Sequence, residues 1–329
     1  MTSPVDQLRL QVEEAIRGLE FPANPANLYE PIRYTLALGG KRMRPVLVLL
    51  AHEMFGGKAD EALPAALAVE VFHNFTLLHD DLMDKAPLRR GKATVHHKWT
   101  PEIAILSGDA MFVKSCQLIS LSSSGHVGTA MRIFLETAME VCEGQQVDMD
   151  FEQMDAVTVP QYLDMIRLKT AVLLGASLSI GAVLAGAAEQ DVRNLYDFGV
   201  NLGTAFQLQD DILDVFGDEE KFGKQVGGDI LANKKTFLLL RAFEKAKGDD
   251  LESLRFWIQG DAWSKNNSAE DKVAGVKSIY LRLGIREEAE LKMDELYRIA
   301  HEHLDALPLS DDQTVVLRLL ANQLMERQH

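Results

Sequence analysis

Six aspartates in two pentads of the same spacing, Asp80-Asp81-Leu82-Met83-Asp84 and Asp210-Asp211-Ile212-Leu213-Asp214, stand 130 residues apart. Both fall in segments whose apolar periodicity predicts helix. At about 100° per residue the three carboxylates of each pentad cover roughly a third of a helix's circumference and make one acidic patch. At ~5 Å and an effective dielectric near 20, each unscreened pair costs about 3 kcal/mol. Such patches call for a compensating cation, and an oxygen-only donor set selects a hard one such as Mg²⁺. A solvated helix end is the other reading of an acidic cluster. Two clusters of one spacing, each after a long apolar run, favour the cation. A calcium loop does not fit, because neither pentad has the central glycine and distal glutamate that such a loop needs.

Basic residues accompany the acids. Arg89-Arg90-Gly91 follows the first pentad, and arginine's fork of donors suits phosphate oxygens, although a surface pair is the plainer reading. Gly39-Gly40-Lys41-Arg42-Met43-Arg44 leads into an apolar helix, where glycines permit close backbone approach and a helix start favours anions, but it lacks Walker-loop spacing. Past the second pentad come Lys224 and Lys234-Lys235-Thr236. Lys169-Thr170 interrupts an apolar stretch, so Lys169 either snorkels out or finds an anion. His73 lies seven residues before Asp80 and Gln207 three before Asp210. Either reads equally as a hydrogen-bonded core residue.

The elements that must position these groups are helices. Periodicity predicts helix at Val5–Leu19, Arg42–Met54, Ala62–Met83, Ile103–Ser120, Val127–Cys142, Val159–Leu168, Asp191–Val215, Lys272–Leu307 and Asp311–Arg327. Pro22, Pro31, Gly56-Gly57, Pro101 and Gly217 punctuate them. The polar stretch Gly248–Asp271 reads as a long surface connection. Strand signals are nearly absent, no repeat or linker divides the chain, and residues 1–329 are expected to form a single all-α domain. The uncharged run Ala171–Ala188 reaches membrane-span length, but its Gly175, Gly181 and Gly186 suit a slender buried helix better. No stable membrane insertion is expected. Composition is ordinary for a globular protein, and a net charge of −15 disfavours nucleic acid and anionic membrane as partners. Cys116 and Cys142 lack disulfide or zinc spacing, and Met1–Glu20 lacks an export pattern, so a cytoplasmic location is expected.

In combination these residues resemble the trans-isoprenyl diphosphate synthases, the polyprenyl synthetase family. The resemblance runs from Gly39 to about Thr236 and rests on Gly-Gly-Lys-x-x-Arg, both pentads, Arg89-Arg90-Gly91, Lys169-Thr170, Phe206-Gln207-x-x-Asp210-Asp211, Lys224 and Lys234. It implies a bundle of long helices around a deep central cavity, usually as a homodimer, and a Mg²⁺-dependent condensation of isopentenyl diphosphate with an allylic diphosphate (dimethylallyl, geranyl or farnesyl). By that resemblance Asp80, Asp81, Asp84 and Asp210 bind Mg²⁺, three ions with substrate present, supported by Asp211 and Asp214. Arg89, Lys169, Thr170, Gln207, Lys224 and Lys234 meet the allylic diphosphate, with Lys235 a rival for the last place. Lys41, Arg44, His73 and Arg90 hold the diphosphate of isopentenyl diphosphate.

The resemblance also places Phe75 and Thr76 beneath the first pentad as determinants of product length. Periodicity alone turns Phe75 away from Asp80, and core packing remains its other reading. One bulky plug implies an all-trans product of fifteen or twenty carbons, with twenty preferred. A longer-chain synthase and a non-catalytic regulatory subunit are the alternatives. A terpene cyclase shares the metal logic but usually replaces the second pentad, which is intact here.

Overall fold

The apolar runs fold as helices along the chain. A computed structural model describes residues 3–217, 226–260 and 262–325. Its α-helices, in chain order, are α1 (Pro4–Arg17), α2 (Ala26–Ala37), α3 (Met43–Met54), α4 (Ala59–Met83), α5 (Val95–Lys98), α6 (Pro101–Ser120), α7 (Val127–Gln153), α8 (Val159–Ile166), α9 (Val172–Leu184), α10 (Glu189–Phe216), α11 (Gly228–Leu231), α12 (Phe237–Lys245), α13 (Asp249–Ile258), α14 (Ala269–Leu283), α15 (Ile285–Asp305) and α16 (Asp311–Met325). A π-helical turn, Arg167–Ala171, joins α8 to α9. One small hairpin pairs β1 (Leu88–Arg89) with β2 (Lys92–Ala93) in antiparallel register.

Three expectations are corrected. The stretch Gly248–Asp271 is not one long connection, because α13 and a 3₁₀ turn, Ala262–Lys265, lie within it. Asp249, Asp250 and Glu252 occupy the first turn of α13 and Arg255 the last, which complements the helix dipole despite the polar composition. Lys272–Leu307 is two helices, broken where Gly284 adopts φ 66° and ends α14. Pro31 lies inside α2 instead of ending a segment.

Contacts group the chain into two compact units, one of Met1–Glu136, Ala176–Tyr196 and Leu307–Leu317, the other of Thr137–Gly175, Asp197–Ala306 and Arg318–His329. In the first unit α4 packs on α3 and α6. Its Ala62, Ala65, Ala66 and Ala68 are fully buried and keep the approach close. A Cβ at Gly181 would lie 2.1 Å from the Val48 carbonyl oxygen, so backbone meets backbone there. In the second unit Gly199 lies against Gly175 and Gly203 against Ala171 in the same manner. Its core gathers Phe151, Tyr162, Leu208, Ile212, Leu238, Tyr280 and their neighbours. Every residue from Ala171 to Leu184 is buried, which makes that long apolar run a core helix.

Candidate functional site

The first pentad closes α4. Asp84 is the C-cap and its N–H donates to the Asp80 carbonyl. Carboxylates here face the negative end of the helix dipole, and no basic residue occupies the last turn of α4 to offset them. Compensation comes from the hairpin instead. Arg89 donates from Nε to Asp81 Oδ1 at 2.8 Å and from Nη2 to the same oxygen, and its Nη2 stands 3.6 Å from Asp80 Oδ2. Burial pushes the Asp81 carboxyl above its ordinary value, with Arg89 pulling the other way. Burial also opposes charge on Arg89, but Asp81, Asp80 and Asp84 outweigh it and raise that guanidinium. The hairpin holds Arg89 beside a tight two-residue turn, in which Arg90 and Gly91 both have positive φ, 52° and 72°. Tyr34 ties the hairpin down by donating to the Ala93 carbonyl at 2.7 Å.

Beside this lies a group of cations. Arg42, left-handed at φ 50° and almost fully buried, donates to Glu70 at 2.6 Å, to Glu13 at 2.8 Å and to the Leu36 carbonyl at 2.9 Å. Asn74 completes the network by donating to Glu70 Oε1 at 2.9 Å. Arg44 Nη1 lies 3.2 Å from His73 Nε2. Burial, then the neighbouring arginines, hold His73 well below its ordinary value, so the neutral ring accepts from Arg44 at Nε2 and carries its hydrogen on Nδ1. Burial pushes Arg44 down to about 10 against the pull of Glu70, and its buried Nε has no hydrogen-bond partner. Arg90 is likewise lowered, by burial and then by Arg42. Neither Arg44, His73 nor Arg90 contacts a carboxylate among the described residues. Lys41 is exposed at the head of the loop.

The second pentad occupies the last turns of α10, which also lack a basic residue. Asp210 is exposed and Asp211 buried. Tyr162 donates its hydroxyl to Asp211, and burial, relieved in part by Tyr162 and Lys234, raises that carboxyl to about 7. Asp214 accepts from the backbone N–H of Asp229 at 2.9 Å and so caps the start of α11. Lys234 Nζ lies 3.7 Å from Asp229 Oδ1. Burial works against Lys234's charge, but Asp229, Asp211, Asp148 and Asp210 together raise it. Lys169 sits on the π-helical turn and donates to Asp148 at 2.6 Å. Single π-helical turns of this kind are frequent at functional sites. Gln207 and Thr170 are half-buried, and Lys224 lies outside the described residues.

Lys234 and Lys235 take different places. Lys235 donates to the carbonyls of Phe151 and Met154, capping the end of α7, whereas Lys234 joins the acids. Sequence reasoning missed Glu70, Asn74, Tyr162, Asp148 and Asp229. A signal existed for Glu70, one carboxylate in the apolar run Ala65–Phe72. Phe75 packs its ring 5.5 Å from Phe72, 5.7 Å from Phe112 and 4.8 Å from His79, in an aromatic cluster one to two turns before the pentad. Thr76 donates to the His73 carbonyl at 2.8 Å.

Both pentads fit a hard divalent cation by their donors. Among the described residues no three carboxylate, histidine or cysteine groups converge into a complete cage. Mg²⁺ commonly takes one or two carboxylates and completes its shell with water and substrate phosphate, so open clusters of this kind suit it.

The sequence profile of the polyprenyl synthetase family matches residues 25–276. The short chain isoprenyl diphosphate synthase of Methanothermobacter thermautotrophicus is 37% identical over 319 residues, covering 96% of this chain and 95% of that one. The geranylgeranyl pyrophosphate synthase of Geoglobus acetivorans is 37% identical over 321 residues, covering 97% and 96%. A crystal structure of a geranylgeranyl pyrophosphate synthase superposes with a TM-score of 0.93 at 43% identity, with both chains covered in full.

Proposed function

Because the chain belongs to the polyprenyl synthetase family and is a short-chain trans-prenyl diphosphate synthase, we propose that it joins isopentenyl diphosphate head to tail to a dimethylallyl, geranyl or farnesyl diphosphate. The observation that carries this is the pair of guanidinium groups of Arg44 and Arg90 beside the neutral ring of His73. Positive charge is held there without a carboxylate in contact, and the Nε of Arg44 is buried without a partner. Groups so placed lower their free energy by taking up an anion, and arginine's fork matches a diphosphate.

The residues divide the work. Lys41, Arg44, His73 and Arg90 hold isopentenyl diphosphate. His73, being neutral, orients Arg44 without adding a charge of its own. Asp80, Asp81, Asp84, Asp210, Asp211 and Asp214 would hold Mg²⁺, three ions with both substrates bound. Those ions supply electrostatic stabilisation to the allylic diphosphate as it leaves. Arg89, Lys169, Gln207, Lys224 and Lys234 add donors to the same leaving group. Arg89 orients Asp81 as an acceptor, and Lys234 offsets the crowded acids around Asp211. The apolar aromatic wall around Phe75 excludes water from the allylic cation until the double bond attacks. Among the described residues no side chain is assigned the part of a base, and the departing diphosphate takes the proton.

Phe75 and Thr76 limit the product to fifteen or twenty carbons, twenty preferred. Exposed Ile105, Leu106 and Val113 on one side of α6 support a homodimer, since an apolar row of this kind suits burial against a second copy. Both cysteines are free, which suits a cytoplasmic location.

Incubation with Mg²⁺, labelled isopentenyl diphosphate and primers of several lengths, followed by chromatography of dephosphorylated products, tests the reading. A twenty-carbon product is expected, and no condensation with any primer would overturn it. Phe75→Ala should lengthen the product; an unchanged profile would remove Phe75 from that role.

A further inference from the structure

The Gly39-Gly40-Lys41 loop touches the hairpin at one point. An ideal Cβ on Gly40 would lie 2.9 Å from Nη2, 3.0 Å from Nη1 and 3.1 Å from Cζ of Arg90, so the guanidinium plane rests against the bare Cα. Gly40 also has φ 147°, a conformation that side chains rarely adopt. Its neighbour Gly39 shares a positive φ, 77°, but a Cβ there would meet nothing within 4 Å. The two glycines therefore differ in kind. Gly39 needs only its backbone conformation, whereas Gly40 needs that and the missing side chain.

Both partners in this contact are anchored from behind. Arg42 pins the loop through Glu13, Glu70 and the Leu36 carbonyl. Arg90 is held at the hairpin turn by the Leu88↔Ala93 and Arg89↔Lys92 pairing, and Tyr34 holds the Ala93 carbonyl. Arg90 makes no hydrogen bond or ion pair among the described residues, so the surface of Gly40 is what its guanidinium lies on. A left-handed conformation is unfavourable for a non-glycine residue, and the fold sustains it at Arg90.

We propose that Gly40 is a positioning residue for substrate binding: its missing side chain is the seat that sets the guanidinium of Arg90 for the diphosphate of isopentenyl diphosphate. This rests on the reading of Arg90 given above. The clash in Gly40→Ala falls on the far end of a flexible side chain, not on backbone. A side chain at φ 147° adds backbone strain of its own, and the melts and the double variant separate that strain from displacement of the guanidinium.

Steady-state kinetics on Gly40→Ala, Gly39→Ala, Arg90→Met and the Gly40→Ala/Arg90→Met double variant, with thermal melts to confirm folding, test this. Gly40→Ala should raise the KM for isopentenyl diphosphate roughly tenfold, the scale of one weakened charge-assisted contact. The KM for the allylic diphosphate should change by less than about twofold. Gly39→Ala should raise the first KM less, and Gly40→Ala should add little once Arg90 is Met. Equal effects of the two glycine variants, or additivity in the double variant, would place the cause in backbone strain and overturn the proposal. If Arg90→Met raises the KM and Gly40→Ala does not, only the role of Gly40 falls. If Arg90→Met leaves the KM unchanged, the reading of Arg90 falls and the role of Gly40 with it.

Discussion

The two aspartate pentads share a spacing and a place in the last turns of long helices, yet their charge is compensated in opposite ways. The first is paired with an arginine that cannot lose its proton: Arg89 grips Asp81 and reaches Asp80. The second is crowded. Asp148, Asp210, Asp211, Asp214 and Asp229 gather near Lys169 and Lys234, and Asp211 meets its burial by accepting from Tyr162 and rising to about 7. The same aspartate spacing therefore does not give the same electrostatics. In the first cluster Arg89 opposes the burial that raises Asp81, while in the second burial raises Asp211 to about 7, so that a divalent cation there competes with a proton.

That contrast can be broken in order of effect. Asp80→Ala should lower turnover about 10³-fold with the fold retained, because a group acting on developing charge contributes on that scale. Parent-like kinetics with an unchanged melt would remove Asp80 from the site.

The next largest effect concerns pH in metal-free protein. Asp211 has a folded value of about 7 against an ordinary 3.8, so its contribution to stability is complete below about pH 4 and is lost as pH rises through 7. Urea unfolding with chelator present should show a decline on the order of 4 kcal/mol across that window. Asp211→Asn cannot ionise and should flatten the curve, whereas a curve unchanged in the variant would assign the titration elsewhere. Added Mg²⁺ favours the carboxylate, so its stabilising effect should grow with pH.

Arg89→Met tests the first cluster in the same measurement. Breaking a buried pair costs more than an exposed one, and with Arg89's side chain 31% exposed the expected loss is about 2 kcal/mol. No loss would mean that Asp81 finds compensation without it. The smallest effect separates neighbours: Lys235→Ala should cost about 1 kcal/mol by freeing the end of α7 and leave turnover alone, while Lys234→Ala should slow turnover at least tenfold. A reversed pattern would exchange their roles.

Much of this architecture is legible in the sequence because long apolar periodicity is a local signal. The pentads, α4, α6 and α10 and the buried run through α9 all follow from it. What is not legible depends on distant partners. The hairpin has two-residue strands, too short for any periodicity, and exists because Tyr34 and Asp81 hold it. Asp148 and Tyr162 lie in unremarkable helical surroundings and acquire meaning only when Lys169 and Asp211 meet them. Gly284 looks like one tolerated helical glycine, yet its left-handed φ divides α14 from α15. Lys234 and Lys235 are equivalent in sequence and separate only when one finds two helix-end carbonyls.

The most direct measurement is calorimetric titration of an unreactive allylic diphosphate analogue into the protein, with and without Mg²⁺, for the parent, Asp80→Ala and Asp210→Ala. If both clusters serve the metal ions of one diphosphate, tight binding needs Mg²⁺ and either substitution abolishes it. Tight binding without Mg²⁺, or undiminished binding by either variant, would contradict that assignment.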